Sequence, residues 1–214
     1  MVRSNAGTKG VPRLDRENQI LAVASAEFGA HGYARASVAR IADRAGISKP
    51  LIYNYFDSKE GLFLAAVERA GTMIADEIER IADGSSEGLV RGLETLQGIF
   101  AILEPQPYLW KLFFDPSAPH TGPIAAAIEG YRERIAKVAD EGVTVLMHQQ
   151  GVTDRLDVSA MTSVWLSVVD ALVNWWLRHP NQTAEQMTDR CARLIGALFG
   201  QIPRDHARLP PFPG

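Results

Sequence analysis

Residues 37–59 read SVARIADRAGISKPLIYNYFDSK and predict two short helices joined by a tight turn. Ser37 is a favourable N-cap, because its hydroxyl can accept a hydrogen bond from an amide in the first helical turn. Apolar residues with helical spacing then give the first helix one buried face: Val38, Ile41, Ala42 and Ala45. Gly46 is placed to end this helix, since glycine readily adopts the left-handed conformation of a helix C-terminus.

The second helix of this stretch begins with Ser48 as its cap and with Pro50 in the first turn, where a missing amide hydrogen does little harm. Ile52 and Phe56 form its inward stripe. Two helices joined by a glycine-containing turn are typical of the helix-turn-helix, whose second helix fits the DNA major groove. An ordinary helical hairpin is the alternative interpretation of this pattern.

The motif continues without gaps into the residues that follow. Its elements are Ile41-Ala42, Ala45-Gly46-Ile47-Ser48, Tyr53 with Phe56, and Lys59-Glu60-Gly61-Leu62 through Ala66-Val67. In this order they resemble the DNA-binding region of TetR-family transcriptional repressors, and the resemblance covers residues 15–70. Pro50 stands where many members of that family have Gly or Ala, which bears on the bases that are read.

The resemblance and the helical geometry together imply roles in binding double-stranded DNA. Base edges would be contacted from the recognition helix, which Ser48 opens, by Lys49, Pro50, Leu51 and Asn54. Phosphates would be contacted by Ser37, Tyr53, Tyr55 and Lys59, and Arg44 or Arg40 would add a further phosphate contact. Core packing is the alternative role for the two tyrosines, and it fits Tyr55 better than Tyr53.

Charge is unevenly distributed along the chain, whose formal net charge is −3. Residues 1–60 contain 9 Lys and Arg against 6 Asp and Glu, whereas residues 61–214 contain 13 against 19. A small DNA-reading module attached to a larger acidic body would give this distribution. Cys191 is the single cysteine and the N-terminal stretch has no apolar signal-peptide core, so we expect a cytoplasmic protein.

Helical periodicity continues to the end of the chain and predicts an all-α fold of roughly nine helices. We expect a flexible basic tail at 1–14, a three-helix helix-turn-helix domain at 15–57, a larger helical regulatory and dimerisation domain at 58–203, and a loose tail at 204–214. The predicted helices outside the central motif span 15–31, 59–82, 87–103, 108–114, 123–150, 158–178 and 184–200. Asp157 is the expected cap of the helix at 158–178.

The helix at 158–178 is apolar on nearly every side and therefore needs partners on several sides. TetR-like repressors are dimers joined by their last two long helices, so the resemblance implies a homodimer through Trp175, Trp176, Leu194, Ile195 and Leu198. A twofold dimer would place two recognition helices about 34–36 Å apart and read a palindromic site. A buried core helix of a monomer is the alternative.

Aromatic residues from several predicted helices suggest a small-molecule site in the C-terminal body, which the resemblance also implies. The candidates are Phe100, Trp110, Phe113, Phe114, Tyr131, Trp165 and Val169. Ligand sites are mostly apolar, although aromatic residues at helical spacing fit ordinary core packing equally well. The predicted function is thus a repressor released by a small apolar or amphipathic effector. The alternative is a helical DNA-binding or architectural protein without an effector.

Enzyme motifs are missing from the sequence. It contains no Gly-x-Ser-x-Gly, Walker-type loop, dinucleotide fingerprint or zinc-ligand spacing, and its five histidines are scattered. The most apolar stretch, from Val158 to Leu177, contains Asp170 and Asn174. We therefore expect no catalytic residue, no metal, no cofactor and no membrane partner.

Overall fold

The computed structural model describes residues 12–199, and these residues form nine α-helices and no β-strand. The helices are α1 (Arg13–Arg35), α2 (Val38–Arg44), α3 (Lys49–Phe56), α4 (Lys59–Ala82), α5 (Gly88–Leu103), α6 (Tyr108–Leu112), α7 (Gly122–Gln149), α8 (Arg155–Leu177) and α9 (Ala184–Phe199). The predicted all-α fold is confirmed for this part of the chain. The tail predicted at 204–214 lies outside the described residues, as does that at 1–14 up to residue 11.

The first helix is longer than predicted at both ends. It begins at Arg13, so the last residues assigned to the basic tail are helical. Gly32 interrupts it with φ 74° and ψ 161°, close to the predicted end, and one more turn then runs to Arg35. Glycine is suited to this position, because a side chain would be strained at that φ.

The start of α8 differs from the prediction because a different aspartate caps it. The Asp154 carboxylate accepts the Leu156 amide hydrogen at 2.7 Å, so the helix begins at Arg155 and not at 158. Asp157 lies in the first turn instead, where a negative charge interacts favourably with the helix dipole. Helices α4 to α7 and α9 begin and end within two residues of their predicted bounds.

The described chain forms two compact units. The first contains the helices up to Ala70 together with Tyr108–Ile128, and the second contains Gly71–Pro107 and the chain from Glu129 onward. The first unit thus includes more than residues 15–57, because α6 packs against α1. A Cβ atom on Gly29 of α1 would lie 2.5 Å from the Tyr108 Cβ, so glycine permits this close approach.

The core of the first unit is the one that the sequence predicts. Phe28, Ile41, Ile52 and Phe56 are all buried. The Phe28 ring meets that of Phe63 edge to face, with centroids 4.8 Å apart. These contacts join α1, α2, α3 and the beginning of α4, so the short helices α2 and α3 are held by apolar packing on longer ones.

The second unit has a separate core in which α5 packs against α9. The Phe100 ring meets that of Trp176 edge to face at 5.0 Å between centroids. Trp165 lies against Gly92, where a Cβ atom would come within 2.9 Å of its ring. Met187, Cys191 and Ile195 of α9 are completely buried.

Candidate DNA-binding site

The turn between α2 and α3 has the predicted geometry. The Ser37 hydroxyl accepts the Arg40 amide hydrogen at 3.4 Å and so caps α2. Gly46 has φ 66°, and the next amide, of Ile47, donates to the Ala42 carbonyl at 3.0 Å. This is the reversal that a helix-turn-helix requires.

Helix α3 is held by one face and exposed on the other. Ile52 and Phe56 are buried, whereas Lys49, Pro50 and Asn54 are exposed. Ser48 occupies the N-cap position, but its side chain makes no capping hydrogen bond, so its predicted capping role is wrong. Pro50 lies in the first turn as predicted. Leu51 and Tyr53 are half-buried at the edge of the exposed face.

Cations lie over both tyrosines of α3. The Lys49 ammonium is 5.5 Å from the centre of the Tyr53 ring, and the Arg13 guanidinium is 5.3 Å from that of Tyr55. Both tyrosines are half-buried. The aromatic rings and cations therefore form a mixed surface along α3, and such contacts are favourable by about 0.5–1 kcal/mol at exposed sites.

Lys59 opens α4 and contacts the last turn of α1. Its ammonium donates to the Ala34 carbonyl at 3.2 Å and lies 4.9 Å from the centre of the Tyr33 ring. The Tyr33 hydroxyl donates to Glu60 at 2.7 Å. Burial, together with this hydrogen bond to a carboxylate, raises the pKa of Tyr33 to about 12. Sequence reasoning did not identify Tyr33.

Glu27 of α1 is a second residue that sequence reasoning missed. Its side chain is almost fully buried, and its Oε1 accepts the Ser37 amide hydrogen at 3.0 Å and the Arg40 Nε hydrogen at 2.8 Å. Its Oε2 lies 3.9 Å from Arg44 and 3.7 Å from His31. Burial opposes ionisation of this carboxyl, but its hydrogen bonds to Arg40 and Ser37 outweigh burial and lower its pKa.

A sequence signal for Glu27 exists. Ile20, Ala24 and Phe28 form the apolar stripe of α1, and Glu27 falls seven residues after Ile20 on the same face. A charged residue in an apolar stripe predicts a buried charge that needs a partner. Its partners on α2 are ten to seventeen residues away, so local spacing does not identify them.

The loop between α6 and α7 also contacts the last turn of α1. An Asp115 carboxylate oxygen accepts the Tyr33 amide hydrogen, and the Ser117 hydroxyl accepts that of Ala34 at 3.0 Å. These bonds satisfy the backbone just after the break at Gly32. They connect positions more than eighty residues apart, and no pattern in the sequence predicts them.

The aromatic candidates for an effector site are distributed over both units. Trp110, Phe113 and Phe114 belong to the first unit, and Phe100, Tyr131, Trp165 and Val169 to the second. Trp110 and Phe114 have ring centroids 5.4 Å apart, and the Tyr131 hydroxyl shares a 2.8 Å hydrogen bond with Thr72. These rings have neighbours within their own unit, and their role in effector binding stays a prediction.

The dimerisation candidates divide into exposed and buried positions. Leu194 and Leu198 of α9 are 44% and 69% exposed. Trp176 and Ile195 are buried in the core of the second unit. Trp175 is half-buried, stacked on His179 at 3.8 Å between ring centroids.

Helix α8 is long and apolar enough to cross a membrane by length and composition alone, a test that helices of soluble proteins also pass.

Within residues 12–199, no three His, Cys, Asp or Glu side chains lie together as a metal site would require. Burial raises the pKa of the Cys191 thiol to about 12. A buried thiol of this kind is a poor nucleophile, because the thiolate is the reactive form.

Known proteins that are similar to this chain identify the class of protein to which it belongs. Residues 20–66 match the family described as bacterial regulatory proteins, tetR family. The chain is 30% identical over 191 residues to the HTH-type transcriptional repressor AcnR of Corynebacterium efficiens. This match covers 78% of the chain and 95% of AcnR. With the geometry of α2 and α3, these matches define a helix-turn-helix transcriptional regulator.

The chain belongs to the TetR family. It is also 30% identical over 134 residues to the HTH-type transcriptional activator FasR of Mycolicibacterium smegmatis, a match that covers 63% of the chain and 58% of FasR. Its fold is similar to that of AibR, solved in complex with isovaleryl coenzyme A and operator DNA. That similarity has a TM-score of 0.71 at 20% identity and covers 87% of the chain and 100% of AibR.

Proposed function

We propose that this protein is a ligand-responsive transcriptional repressor that acts in the cytoplasm and binds a palindromic operator as a homodimer. The observation that carries the proposal is the division of α3 into two faces. Buried Ile52 and Phe56 fix the helix, while exposed Lys49, Pro50 and Asn54 are left for a partner. A short helix held in this way suits insertion into a major groove.

The contacts to DNA follow from chemistry and exposure. Lys49 can donate to guanine O6 and N7, Asn54 can pair with adenine, and Pro50 or Leu51 can contact a thymine methyl group. Phosphate contacts are assigned to the residues around this helix: Ser37, Arg44, Ser48, Tyr53, Tyr55 and Lys59. The Ser48 hydroxyl makes no capping bond, which supports its inclusion in this set.

The homodimer is supported by the apolar residues that α8 and α9 expose. Val164, Leu194 and Leu198 are 47%, 44% and 69% exposed. Large apolar side chains on two successive helices are typical of a surface that another protein covers. A second copy of the chain is the proposed occupant, because a twofold dimer matches the symmetry of a palindromic operator.

The proposed effector is a small apolar or amphipathic molecule. The AibR structure contains isovaleryl coenzyme A together with operator DNA, which makes acyl-coenzyme A compounds the first class to examine. The effector would bind among the aromatic candidates and favour a conformation with lower affinity for the operator. It can shift this equilibrium only by its differential affinity for the two states, typically about 1–3 kcal/mol.

The proposal is tested by selecting duplexes from a random DNA pool with the purified protein and sequencing those retained. We expect a palindrome whose half-sites are one helical turn apart, bound by two protein chains. An acyl-coenzyme A series added to the complex should then release the DNA with a chain-length preference. Recovery of unrelated sequences, with binding that depends only on salt, would instead support an architectural DNA-binding protein.

A further inference from the structure

Glu27 places a carboxylate inside the core of the first unit, where its side chain is only 2% exposed. Burying a carboxylate is costly unless its oxygens are hydrogen-bonded and its charge is paired. The Ser37 amide nitrogen lies 3.0 Å from Oε1, and its hydrogen could equally be accepted by the side-chain carbonyl of a glutamine. The negative charge at this position is therefore needed only for a neighbouring cation.

The cation that Glu27 holds most closely is Arg40. Arg40 Nε and Nη2 lie 2.8 Å and 2.6 Å from Glu27 Oε1, and Nη2 also donates to the Arg35 carbonyl at 3.2 Å. The Arg40 side chain is nevertheless 53% exposed. Its guanidinium thus lies at the surface while Nε and Nη2 are directed to oxygen atoms of Glu27 and Arg35.

Arg40 lies on the side of α2 that the proposed function turns towards DNA. Ser37, Arg40 and Arg44 are spaced by three and four residues, so they follow one line along the helix. The opposite side is buried through Val38 and Ile41. An arginine on this line, one turn after the helix N-terminus, would ordinarily be expected to bind a phosphate.

We propose that Glu27 is a positioning residue that limits the sequence-independent part of DNA binding by holding Arg40 away from the phosphate backbone. This inference rests on the proposed function of α2 and α3 in DNA binding. Glu27 removes one ionic contact that would form with any duplex, whatever its sequence. It keeps the Ser37 end of α2 in place at the same time, so the contacts that read bases are retained.

Salt dependence measures this effect directly. The logarithm of the binding constant falls with the logarithm of salt concentration by about 0.9 for each phosphate that a cation neutralises. Release of Arg40 should therefore steepen the slope by about 0.9 for each bound chain, which is about 1.8 for the proposed dimer, and should tighten non-specific binding about five- to tenfold per chain near 0.1 M salt. A purely structural role for Glu27 would change folding or overall affinity and leave the slope unchanged.

The experiment compares wild type, Glu27→Gln and the double variant Glu27→Gln/Arg40→Gln. Each is titrated by fluorescence anisotropy against the selected duplex and a scrambled duplex at several salt concentrations. Glu27→Gln keeps an acceptor for the Ser37 amide and loses the charge. We expect it to bind both duplexes more tightly and with a steeper slope, while its preference for the selected duplex stays unchanged. The double variant should return to the wild-type slope.

Asp43→Asn is the matched control, because Asp43 is an exposed carboxylate on the same helix and its loss changes the net charge equally. It should change the slope by less than half of the amount expected for one phosphate contact. If Glu27→Gln does not fold, as judged by circular dichroism, the salt dependence of Arg40→Gln in the wild-type background is measured instead. Since Arg40 makes no phosphate contact there, its slope should match wild type.

The inference is overturned by an unchanged slope in Glu27→Gln, by a steeper slope that persists in the double variant, or by a shallower slope in Arg40→Gln alone. Failure of the proposed function has a different signature. In that case the wild-type protein shows no preference for the selected over the scrambled duplex, whatever the slopes of the variants are.

Discussion

Helices α3 and α8 each present a face that the described chain leaves open, but the chemistry of the two faces is opposite. The open face of α3 is polar and cationic and includes exposed Lys49 and Asn54. The open face of α8 contains the exposed apolar residue Val164, and the helix after it adds Leu194 and Leu198. A cationic face suits a phosphate-rich partner, whereas an apolar face is stabilised by a protein surface that excludes water.

The two helices also differ in how they are supported. Helix α3 has eight residues and rests on Ile52 and Phe56, while Glu27 fixes the beginning of α2 before it. Helix α8 has twenty-three residues, of which Val158, Val169 and Val173 are buried. A reading helix needs to be rigid and exposed at once, whereas a dimerisation helix gains its remaining contacts only on association.

The largest effect is expected where the apolar face is made charged. Val164→Glu combined with Leu194→Glu should weaken dimerisation at least about a hundredfold, because each buried aliphatic side chain contributes about 1.5–3 kcal/mol. Sedimentation velocity over a concentration series would measure this. Leu14→Glu is the control, since Leu14 is an exposed apolar residue of α1 and should not alter the oligomeric state. An unchanged dimer in the double variant would remove α8 and α9 from the interface.

The polar face is tested by Lys49→Ala combined with Tyr53→Ala. Affinity for the selected duplex should fall about ten- to a hundredfold, since a good base contact contributes about 1–3 kcal/mol of discrimination. Anisotropy at fixed salt gives the affinity, and sedimentation should show an intact dimer. Lys137→Ala, which removes one exposed cation of α7, should stay within twofold of wild type. Retained sequence preference in the double variant would contradict the assignment of α3 as the reading helix.

The loop of Asp115 and Ser117 has hydrogen-bond partners within the chain, unlike the open faces of α3 and α8. Substitutions there should change the stability of the fold and not its binding to partners. Asp115→Ala removes the acceptor of the Tyr33 amide hydrogen and should lower the free energy of unfolding by about 1–3 kcal/mol. Urea denaturation would measure it, and Ser117→Ala, which removes the acceptor of the Ala34 amide hydrogen and a hydroxyl donor to Asp115 but keeps the Asp115 bond to Tyr33, should cost less. The oligomeric state should not change. Equal stability of Asp115→Ala and wild type would show that this contact contributes nothing.

The smallest expected effect concerns pH. The pKa of Glu27 is lower in the folded chain than its ordinary value of 4.5, so its contribution to stability is present above that pH and is lost as the pH falls through the folded-state pKa. Wild type should therefore lose more stability than Glu27→Gln between about pH 5 and pH 3. Urea midpoints across this range would show it. Glu68→Gln, an exposed carboxylate on α4, should follow wild type.

Much of the candidate site could be predicted because its determinants are local. The cap at Ser37, the left-handed Gly46, the proline in the first turn of α3 and the buried pair of Ile52 and Phe56 all depend on neighbours within a few residues. Helix capping and periodicity act over that range. The exposed reading face is then what remains once the inward stripe has been identified.

Predictions that depend on distant neighbours could not be decided by local spacing. Trp176 and Ile195 have the composition of interface residues, but they pack inside the second unit, where Trp176 meets Phe100. Apolar residues at helical spacing give the same sequence pattern in a core and in an interface. Only the packing of the surrounding helices distinguishes a core from an interface. The cap of α8 was wrong for a smaller reason, since Asp154 and Asp157 are both suitable residues and the backbone selects one.

The sequence by itself determined the helices, the helix-turn-helix and the resemblance to its family, because each depends on short-range spacing and residue type. Only the tertiary structure decided that Glu27 holds Arg40 beside the start of α2, and that Asp115 and Ser117 hold the last turn of α1. The Asp115 and Ser117 contacts join residues more than eighty positions apart, and the partners of Glu27 lie on another helix. Their formation depends on how helices pack, because burial in that packing is what requires each charge and amide to find its partner.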